Sequence, residues 1–313
     1  MTLPCAVVIA GPTASGKSGL ALALAVAFDG VVINADSMQV YDALPILTAR
    51  PGPAHLARAP HRLYGLIDPA EPCSAARWRD LATAEINAAW NSNRLPVVVG
   101  GTGLYLEALM DGLSPIPEIP PEARAEARTL FETLGNAAFH HRLAEIDPVM
   151  AARLPLGDSQ RMIRAWEVLS ATGRSLAAWQ TEPREGAVAA RWLTLALAPQ
   201  RERLRQACDG RFLAMVNAGA VAEARDFLAR NLDPVLPIMK ALGLRDLGSY
   251  CQGERPLDEA IAAAQSATRA YAKRQMTWVR HRLKPDIVLD AQLSESLMTT
   301  IFMKVRQFRL TPV

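Results

Sequence analysis

The strongest constraint in this 313-residue chain is a glycine-bracketed octapeptide between an apolar run and an apolar helix pattern. The run AVVIA at 6–10 is typical of a buried strand, and residues 20–28 are rich in alanine and leucine, which favour a helix. The octapeptide matches G-x-x-x-x-G-K-[ST], a loop whose backbone N–H groups surround phosphates at a helix N-terminus. We predict that all of its residues bind phosphate, with positive charge from Lys17 and an Mg²⁺ ligand from Ser18. The residues are Gly11, Pro12, Thr13, Ala14, Ser15, Gly16, Lys17 and Ser18.

The rest of the chain alternates strand and helix patterns, apart from one region that is helical throughout. Apolar runs at 31–35 and 96–99 predict further strands, and strands that alternate with helices form parallel sheets covered on both faces. A proline-rich connector at 114–121 ends this pattern, only helical patterns follow to about residue 180, and strand character returns at 192–198. We therefore predict an α/β fold, with a P-loop NTPase-like parallel sheet core at 1–118 and 185–313 and an inserted all-helical domain at 119–184.

Charge and cysteine content exclude several classes of protein. The 34 Lys and Arg residues nearly balance the 31 Asp and Glu residues, so nucleic-acid binding has to rest on local clusters of positive charge. The four cysteines have neither metal-ligand nor redox spacing. The longest apolar run, 20–28, is too short to cross a bilayer, and the first ten residues lack the basic region of a signal peptide. We expect a cytoplasmic protein that does not bind membranes.

The motif alone does not say which phosphate compound is bound. An ATPase normally has an acidic residue after a second apolar strand, but the strand at 96–99 is followed by two glycines. Asp68 and Asp290 are weak substitutes for that acid, which argues against a motor or switch ATPase. Asp36 follows the strand at 31–35, at the sheet edge where α/β proteins bind ligands. From its position, this carboxylate is a general base, a metal ligand or a cap for the next turn.

Seven sequence segments, spread over nearly the whole chain, form a recognisable set. They are GPTASGKS at 11–18, ADSMQVY at 35–41, HRLYGLIDP at 61–69, GGTGLYLEAL at 100–109, QRMIRAWEV at 160–168, KALGLRDL at 240–247 and AKRQMTWVR at 272–280. The set resembles the tRNA dimethylallyltransferase family, also called tRNA isopentenyl-diphosphate transferases, which transfer an allyl group rather than a phosphoryl group. The resemblance implies dimethylallyl diphosphate as donor, the exocyclic amine of the adenine just 3′ of the anticodon as acceptor, Mg²⁺ as cofactor and diphosphate as product.

The resemblance also implies four catalytic residues. Asp36 matches the general base that takes a proton from the adenine amine, and Lys17 stabilises the charge of the diphosphate. Thr102 matches a position near the target nucleotide, and Arg211 matches an arginine that reaches the diphosphate. The residues themselves leave alternatives open, because Thr102 is equally suited to cap the helix after Gly101 and Arg211 to be a solvated arginine on a helix surface.

For tRNA, the resemblance implies contacts between the anticodon stem-loop and five parts of the chain. The residues are Asp36, Ser37, Met38, Gln39, Thr102, Arg124, Gln160, Arg161, Met162, Ile163, Arg164, Lys240 and Arg245. Without the resemblance, Arg161 and Arg164 are typical of ordinary surface charge on a helix. We expect the protein to be a monomer.

Two other functions share features with prenyl transfer. A small-molecule P-loop kinase has the same loop and strand-end acid, but an insertion of roughly sixty residues is much longer than the two-to-six-residue connections of the bare fold. A non-catalytic RNA-binding module does not require a phosphate loop, so the intact loop at 11–18 argues against this alternative.

A basic face is predicted on a long helix at 257–283, which precedes a short strand at 287–289. At about 100° per residue, Arg269, Lys273, Arg280 and Lys284 share one face, and Leu257, Ile261, Ala264, Tyr271 and Trp278 share an apolar face. We predict that Lys273 and Arg280 contact tRNA phosphates, the alternative being a solvated helix face.

Overall fold

The computed structural model describes residues 3–290 and 295–311 and contains, within them, a six-stranded sheet. The strands are β1 (Cys5–Ala10), β2 (Gly30–Asn34), β3 (His61–Arg62), β4 (Leu95–Gly100), β5 (Arg191–Leu197) and β6 (Ile287–Leu289). Their spatial order is β3-β2-β4-β1-β5-β6, and every pairing is parallel. The predicted parallel α/β sheet is therefore confirmed, with the strand at 287–289 at one edge.

Helices connect the strands and cover both faces of the sheet. They are α1 (Lys17–Ala27), α2 (Pro53–Leu56), α3 (Ala75–Asn91), α4 (Gly103–Met110), α5 (Pro121–Ile146), α6 (Pro148–Arg153), α7 (Ser159–Thr172), α8 (Leu176–Trp179), α9 (Arg201–Asn217), α10 (Ala220–Leu228), α11 (Leu244–Cys251), α12 (Leu257–Trp278) and α13 (Glu295–Leu310). A 3₁₀ turn spans Pro237–Lys240, and a π-helical turn spans Val279–Leu283. No helix among the described residues is long and apolar enough to cross a membrane.

The strand β1 shows why the central strands are apolar throughout. Val7 and Ile9 pack with α1 and α13 on one face, whereas Val8 and Ala10 pack with α3, α4 and α10–α12 on the other. A strand buried on both faces has no solvent side on which polar residues alternate. The carboxyl ends of the parallel strands lie together, so the loops that follow β1, β2 and β4 meet at one edge.

The chain divides into two compact units, residues 1–110 with 188–313 and residues 111–187. The predicted insertion, 119–184, falls inside the second unit. This helical unit has its own apolar core, which includes Phe139, Leu143 and Met162. Its buried Asp147 caps α6 by accepting from the Met150 N–H at 3.0 Å and also accepts from the Ser175 hydroxyl at 2.7 Å.

The C-terminal part differs from the prediction in three ways. The predicted helix at 257–283 is α-helical only to Trp278 and continues as the π-helical turn, and α13 was not predicted. The π-helical turn changes the angle between successive side chains, and Lys284 lies beyond it with a left-handed φ of 47°. Arg269 forms an ion pair with Asp209 at 2.5 Å. The predicted four-residue basic face on one regular helix is therefore wrong. Lys273 on α12 and Arg280 in the π-helical turn are both exposed, and their contact with tRNA stays a prediction.

Candidate active site at the carboxyl edge of the sheet

The phosphate loop folds tightly between β1 and α1. Gly11 has a φ of 152°, and a Cβ there would lie 2.7 Å from the carbonyl oxygen of Leu197, so the first glycine is required by space as well as by backbone angle. Ala14 and Gly16 also have positive φ, 61° and 91°. The helix α1 begins at Lys17, whose ammonium group donates to the Pro12 carbonyl at 2.6 Å. The loop therefore has the strand–loop–helix setting that its motif requires.

Thr13 is the residue through which the rest of the core holds the loop. Its N–H donates to Oε1 of Gln275 at 2.8 Å, and its hydroxyl accepts from Nη1 of Arg211 at 3.1 Å. The Cys208 thiol lies 4.0 Å from its carbonyl oxygen. Arg211 is thus a partly buried side chain at the phosphate loop, so the alternative of a solvated arginine on a helix surface is wrong, and its contact with the diphosphate stays a prediction.

Asp36 is held at the end of β2 by a buried asparagine. The Asn34 side chain accepts from the Asp36 N–H at 2.9 Å and donates to the carbonyls of Asp36 and Leu63 at 3.1 and 3.0 Å. Oδ1 of Asp36 accepts from the N–H groups of Met38 and Gln39 at 2.9 and 3.4 Å. Within the described part of the chain, Oδ2 has no protein donor. One oxygen therefore caps the turn, as one of the three alternatives predicts, while the other remains available to a substrate.

Thr102 links the loop after β4 to the loop after β2. Its hydroxyl accepts from the Ser37 N–H at 2.9 Å and donates to the Ser37 hydroxyl at 3.2 Å. Its own N–H donates to the Ala35 carbonyl at 3.2 Å. The Thr102 hydroxyl is thus bonded beside Asp36, and it is not a side-chain cap of α4.

The electrostatics of the site show that its charged groups lie close together. Burial lowers the pKa of Lys17 from 10.5 to about 8, the negative charge of Asp36 opposes this shift, and the positive charge of Arg211 adds to it. Burial also lowers the pKa of Arg211, again against the charge of Asp36. The pocket thus holds two desolvated cations and one carboxylate, an arrangement suited to an anion that brings its own negative charge.

Two partly buried phenols, Tyr64 and Tyr271, lie within electrostatic reach of Asp36. Burial raises the pKa of Tyr271 to about 12, the charge of Asp36 adds to the shift, and hydrogen bonds with Thr102 and Gln275 oppose it. Burial raises the pKa of Tyr64 as well, with a further contribution from Asp36. Both side chains therefore stay neutral and can only donate or accept hydrogen bonds beside the carboxylate.

Sequence reasoning missed Asn34, Gln275 and the position of Tyr271. We predicted that Tyr271 would lie on the apolar face of its helix, whereas it faces the polar site. The sequence does carry a signal for Gln275, because helical spacing puts it on the same face of α12 as Ala264, Thr268 and Ala272. In the structure that face is buried, and Gln275 is only 5% exposed. A polar group buried on such a face has to find partners, and these are found only in the folded chain.

The predicted RNA-contacting residues of the sheet unit differ in what their side chains do. Ser37 and Met38 lie in the loop that follows Asp36, and Gln39 donates to the carbonyls of Thr48 and Ala49 at 2.8 and 3.1 Å. Lys240 and Arg245 are exposed. The other predicted RNA-contacting residues of this unit are half-buried.

The predicted RNA-contacting residues of the helical unit differ in their exposure, since Arg124, Gln160 and Arg161 are exposed and Arg164 is half-buried. Ile163 is half-buried as well, and Arg161 and Arg164 form ion pairs with Asp158 and Glu167 at 3.1 and 3.0 Å. Met162 is fully buried in the core of the unit. A contact between RNA and the Met162 side chain is therefore corrected to a packing role, because helical periodicity turns this residue inward.

The two weak candidates for an ATPase-type acid have other roles or positions. Asp68 accepts from the N–H of Ala70 at 2.8 Å and caps its own turn. Asp290 is exposed and follows β6, at the far edge of the sheet from β2 and β4. Neither residue follows β4, the strand next to the phosphate-loop strand, where an ATPase would need the acid.

Comparisons with known proteins place the chain in a family. Residues 39–282 match the family model for IPP transferases. A tRNA dimethylallyltransferase of Paramagnetospirillum magneticum is 64% identical over 306 residues, which cover 98% of this chain and 97% of the relative. One of Rhodospirillum centenum is 58% identical over 276 residues and 88% of each chain.

Solved structures agree with this assignment. The tRNA isopentenylpyrophosphate transferase of Bacillus halodurans is 30% identical, with a TM-score of 0.71 over 97% of this chain and 96% of its own. A eukaryotic dimethylallyltransferase described as acting on tRNA is 27% identical, with a TM-score of 0.80 over 96% of this chain and 77% of its own. Sequence identity over nearly the full length, the P-loop NTPase-like fold and the site at the sheet edge lead to one conclusion: the chain belongs to the tRNA dimethylallyltransferase family.

Proposed function

We propose that this enzyme transfers the dimethylallyl group of dimethylallyl diphosphate to the exocyclic amine of the adenine immediately 3′ of the anticodon in tRNA. The observation that carries the proposal is the meeting of a phosphate loop and a carboxylate at one sheet edge, where the charge of Asp36 acts on both Lys17 and Arg211. The N–C bond forms as the allylic C–O bond breaks, the electron pair of that bond leaves with diphosphate, and the amine proton goes to Asp36.

The phosphate loop, Lys17 and Arg211 stabilise the leaving diphosphate. Backbone N–H groups at the start of α1 and two partly buried cations lie at the loop that would bind the diphosphate, whose charge grows as the C–O bond breaks. Preorganised groups of this kind contribute more to the rate of many enzymes than any other effect, since they need no rearrangement during the reaction. The allylic fragment has cationic character during transfer, and the site has to exclude water from it.

Asp36 acts as the general base for the adenine amine. The oxygen Oδ1 is occupied by the turn, so Oδ2 accepts the proton. The amine of adenine is a very weak acid before attack, and its proton becomes acidic only as the N–C bond forms. A carboxylate within hydrogen-bond reach is then sufficient.

The donor set at the loop suits Mg²⁺ bound mainly by its substrate. Among the described residues, no three His, Cys, Asp or Glu side chains form a group able to hold a metal ion. Mg²⁺ at phosphate sites takes most of its ligands from phosphate oxygens and water, with one or two from the protein. We propose the exposed Ser18 hydroxyl, in the first turn of α1, as the protein ligand. The ion would neutralise part of the diphosphate charge.

Cations of each unit are proposed to bind the tRNA partner. In the helical unit, we propose that Arg124, Arg161 and Arg164 bind the anticodon stem-loop, and that the last two exchange their carboxylate partners for phosphates. In the sheet unit, Lys240 and Arg245 are exposed in the same way. The target base has to leave its stack to reach Asp36. Because tRNA is the acceptor, we propose that the enzyme works in the cytoplasm, and as a monomer.

A labelling assay tests the proposed function. The enzyme is incubated with bulk tRNA and either dimethylallyl diphosphate labelled in its allyl group or γ-labelled ATP, and the tRNA is digested to nucleosides. We expect label from the allyl donor in a modified adenosine and none from ATP. Transfer of the ATP label to any acceptor, without allyl transfer, would instead identify a kinase.

The titration of Lys17 predicts how activity depends on pH. With a pKa of about 8, Lys17 is charged below that pH and neutral above it, so kcat/KM for dimethylallyl diphosphate should fall as pH rises through about 8. In Lys17→Arg the cation persists, and the smaller activity that remains should have no inflection there. A parent profile that stays level to well above pH 8 would contradict this assignment.

The two roles of Asp36 separate in one substitution. In Asp36→Asn the amide oxygen still caps the turn at Met38, but the side chain is no longer a base. We expect kcat to fall by about two to four orders of magnitude, with tRNA affinity little changed. The kinetics are measured at saturating donor. A kcat within a few-fold of the parent would show that Asp36 only caps the turn and is not the general base.

Lys273 and Arg280 are expected to bind tRNA phosphates. Replacing both with alanine should weaken the binding of every tRNA substrate. The slope of the logarithm of the binding constant against the logarithm of the salt concentration should become shallower by the contribution of about one to two phosphate contacts. The matched control is the pair Lys304 and Arg306, two exposed cations of α13, replaced in the same way. Equal slopes for the two double variants would show that Lys273 and Arg280 lie on an ordinary solvated surface.

A further inference from the structure

The side chain of Gln275 connects two loops of the active site that are remote from it in sequence. Its Oε1 accepts from the N–H of Thr13, 262 residues away, at 2.8 Å, and its Nε2 donates to the carbonyl of Gly101, 174 residues away, at 3.0 Å. We call this arrangement the Gln275 clamp. One amide thus uses its acceptor on the phosphate loop and its donor on the loop after β4.

The space around the clamp is shaped for this amide. A Cβ at Gly101 would lie 2.0 Å from Nε2 of Gln275, so the absence of a side chain at position 101 lets the amide approach the backbone. Gln275 is 5% exposed, and the Thr13 N–H at the loop would have to find another partner if the amide were removed.

The clamp continues to the general base through a short series of hydrogen bonds. Thr102, next to Gly101, binds the backbone N–H of Ser37 through its hydroxyl, and Ser37 follows Asp36. One helical turn before Gln275, Tyr271 lies near Gln275 and Thr102, both of which lower the pKa of its phenol. The helix α12 therefore joins the phosphate loop, which holds the donor, to the loop that holds the base for the acceptor.

We infer that Gln275 is a positioning residue that sets the phosphate loop relative to Asp36, and so aligns the allylic carbon with the adenine amine. The inference rests on the proposed function. Bond formation and bond breaking occur together in this transfer, so the amine, the allylic carbon and the leaving oxygen have to be in line with the reacting atoms about 3–3.5 Å apart. A displacement of about 1 Å costs about 100-fold in rate. Gln275 touches none of the reacting atoms and acts through Thr13 and Gly101.

The test compares Gln275→Met with Gln265→Met. Both substitutions remove an amide of α12 while keeping its length. Gln265 donates to the backbone carbonyl of Asp209 at 3.1 Å, outside the phosphate loop and the loop of the base. We expect Gln275→Met to lower kcat by about 10- to 100-fold with both KM values within about threefold of the parent, and Gln265→Met to leave kcat within about twofold.

A second readout separates misalignment from a loss of folded enzyme. When the amine is misplaced, water attacks the allylic carbon, diphosphate leaves, and the products are dimethylallyl alcohol and a proton. The ratio of diphosphate released to allyl group transferred should then rise above one in Gln275→Met. A merely structural defect lowers both products together and leaves the ratio at one.

Three outcomes overturn the inference: a folded Gln275→Met enzyme with the same kcat as Gln265→Met, a loss confined to KM, or a product ratio of one. If Gln275→Met does not fold, Gln275→Glu decides the question, because it keeps the size and the acceptor for Thr13 but cannot donate to Gly101 when ionised. The same fall in kcat and the same rise in the product ratio are expected there. The parent enzyme tests the proposed function in the same assay, since a parent that transfers no allyl group refutes that function and not the clamp alone.

Discussion

The close approach of the β2 and β4 ends is the constraint on which the rest of the site depends. The N–H of Ala35 donates to the Val99 carbonyl at 2.8 Å, and its carbonyl accepts from the Thr102 N–H. A Cβ at Gly100 would lie 2.0 Å from the Ala35 carbonyl oxygen, so this approach requires a glycine. Because the backbones pair in this way, Asp36 and Thr102 leave their strands side by side, and Asn34 needs only to fix the turn between them.

Burial gives this edge its electrostatic character. Lys17 and Arg211 are partly deprived of water by the same packing that covers the sheet, and both have lowered pKa values in consequence. The carboxylate of Asp36 offsets part of the free-energy cost of removing these two cations from water. A diphosphate would offset more of it, since its charge meets cations that have already lost their solvent. The desolvation of these two cations is thus what favours an anionic donor.

The parts of the fold that were predicted correctly are those in which local sequence carries the signal. Apolar runs at 6–10, 31–35, 96–99, 192–198 and 287–289 correspond to strands of the sheet, because parallel strands are buried on both faces and have no polar alternation. The phosphate loop is likewise local. Met162 and Tyr271 were assigned to the wrong surroundings, since a helix pattern gives relative angles between side chains and not what each face meets.

The sequence by itself determined the strand–loop–helix unit around Lys17, the helical stretch within 111–187 and the resemblance to a family, because each depends on residues that are near one another along the chain. Only the tertiary structure decided which residues meet at the site. Thr13, Asp36, Thr102, Arg211 and Gln275 come from loops and helices separated by up to 262 residues, and their contacts follow from the order of strands in the sheet and from helices packed upon it. The helix and strand patterns of the sequence do not predict these long-range contacts. The polar groups at the sheet edge find their hydrogen-bond partners only after the whole core has formed.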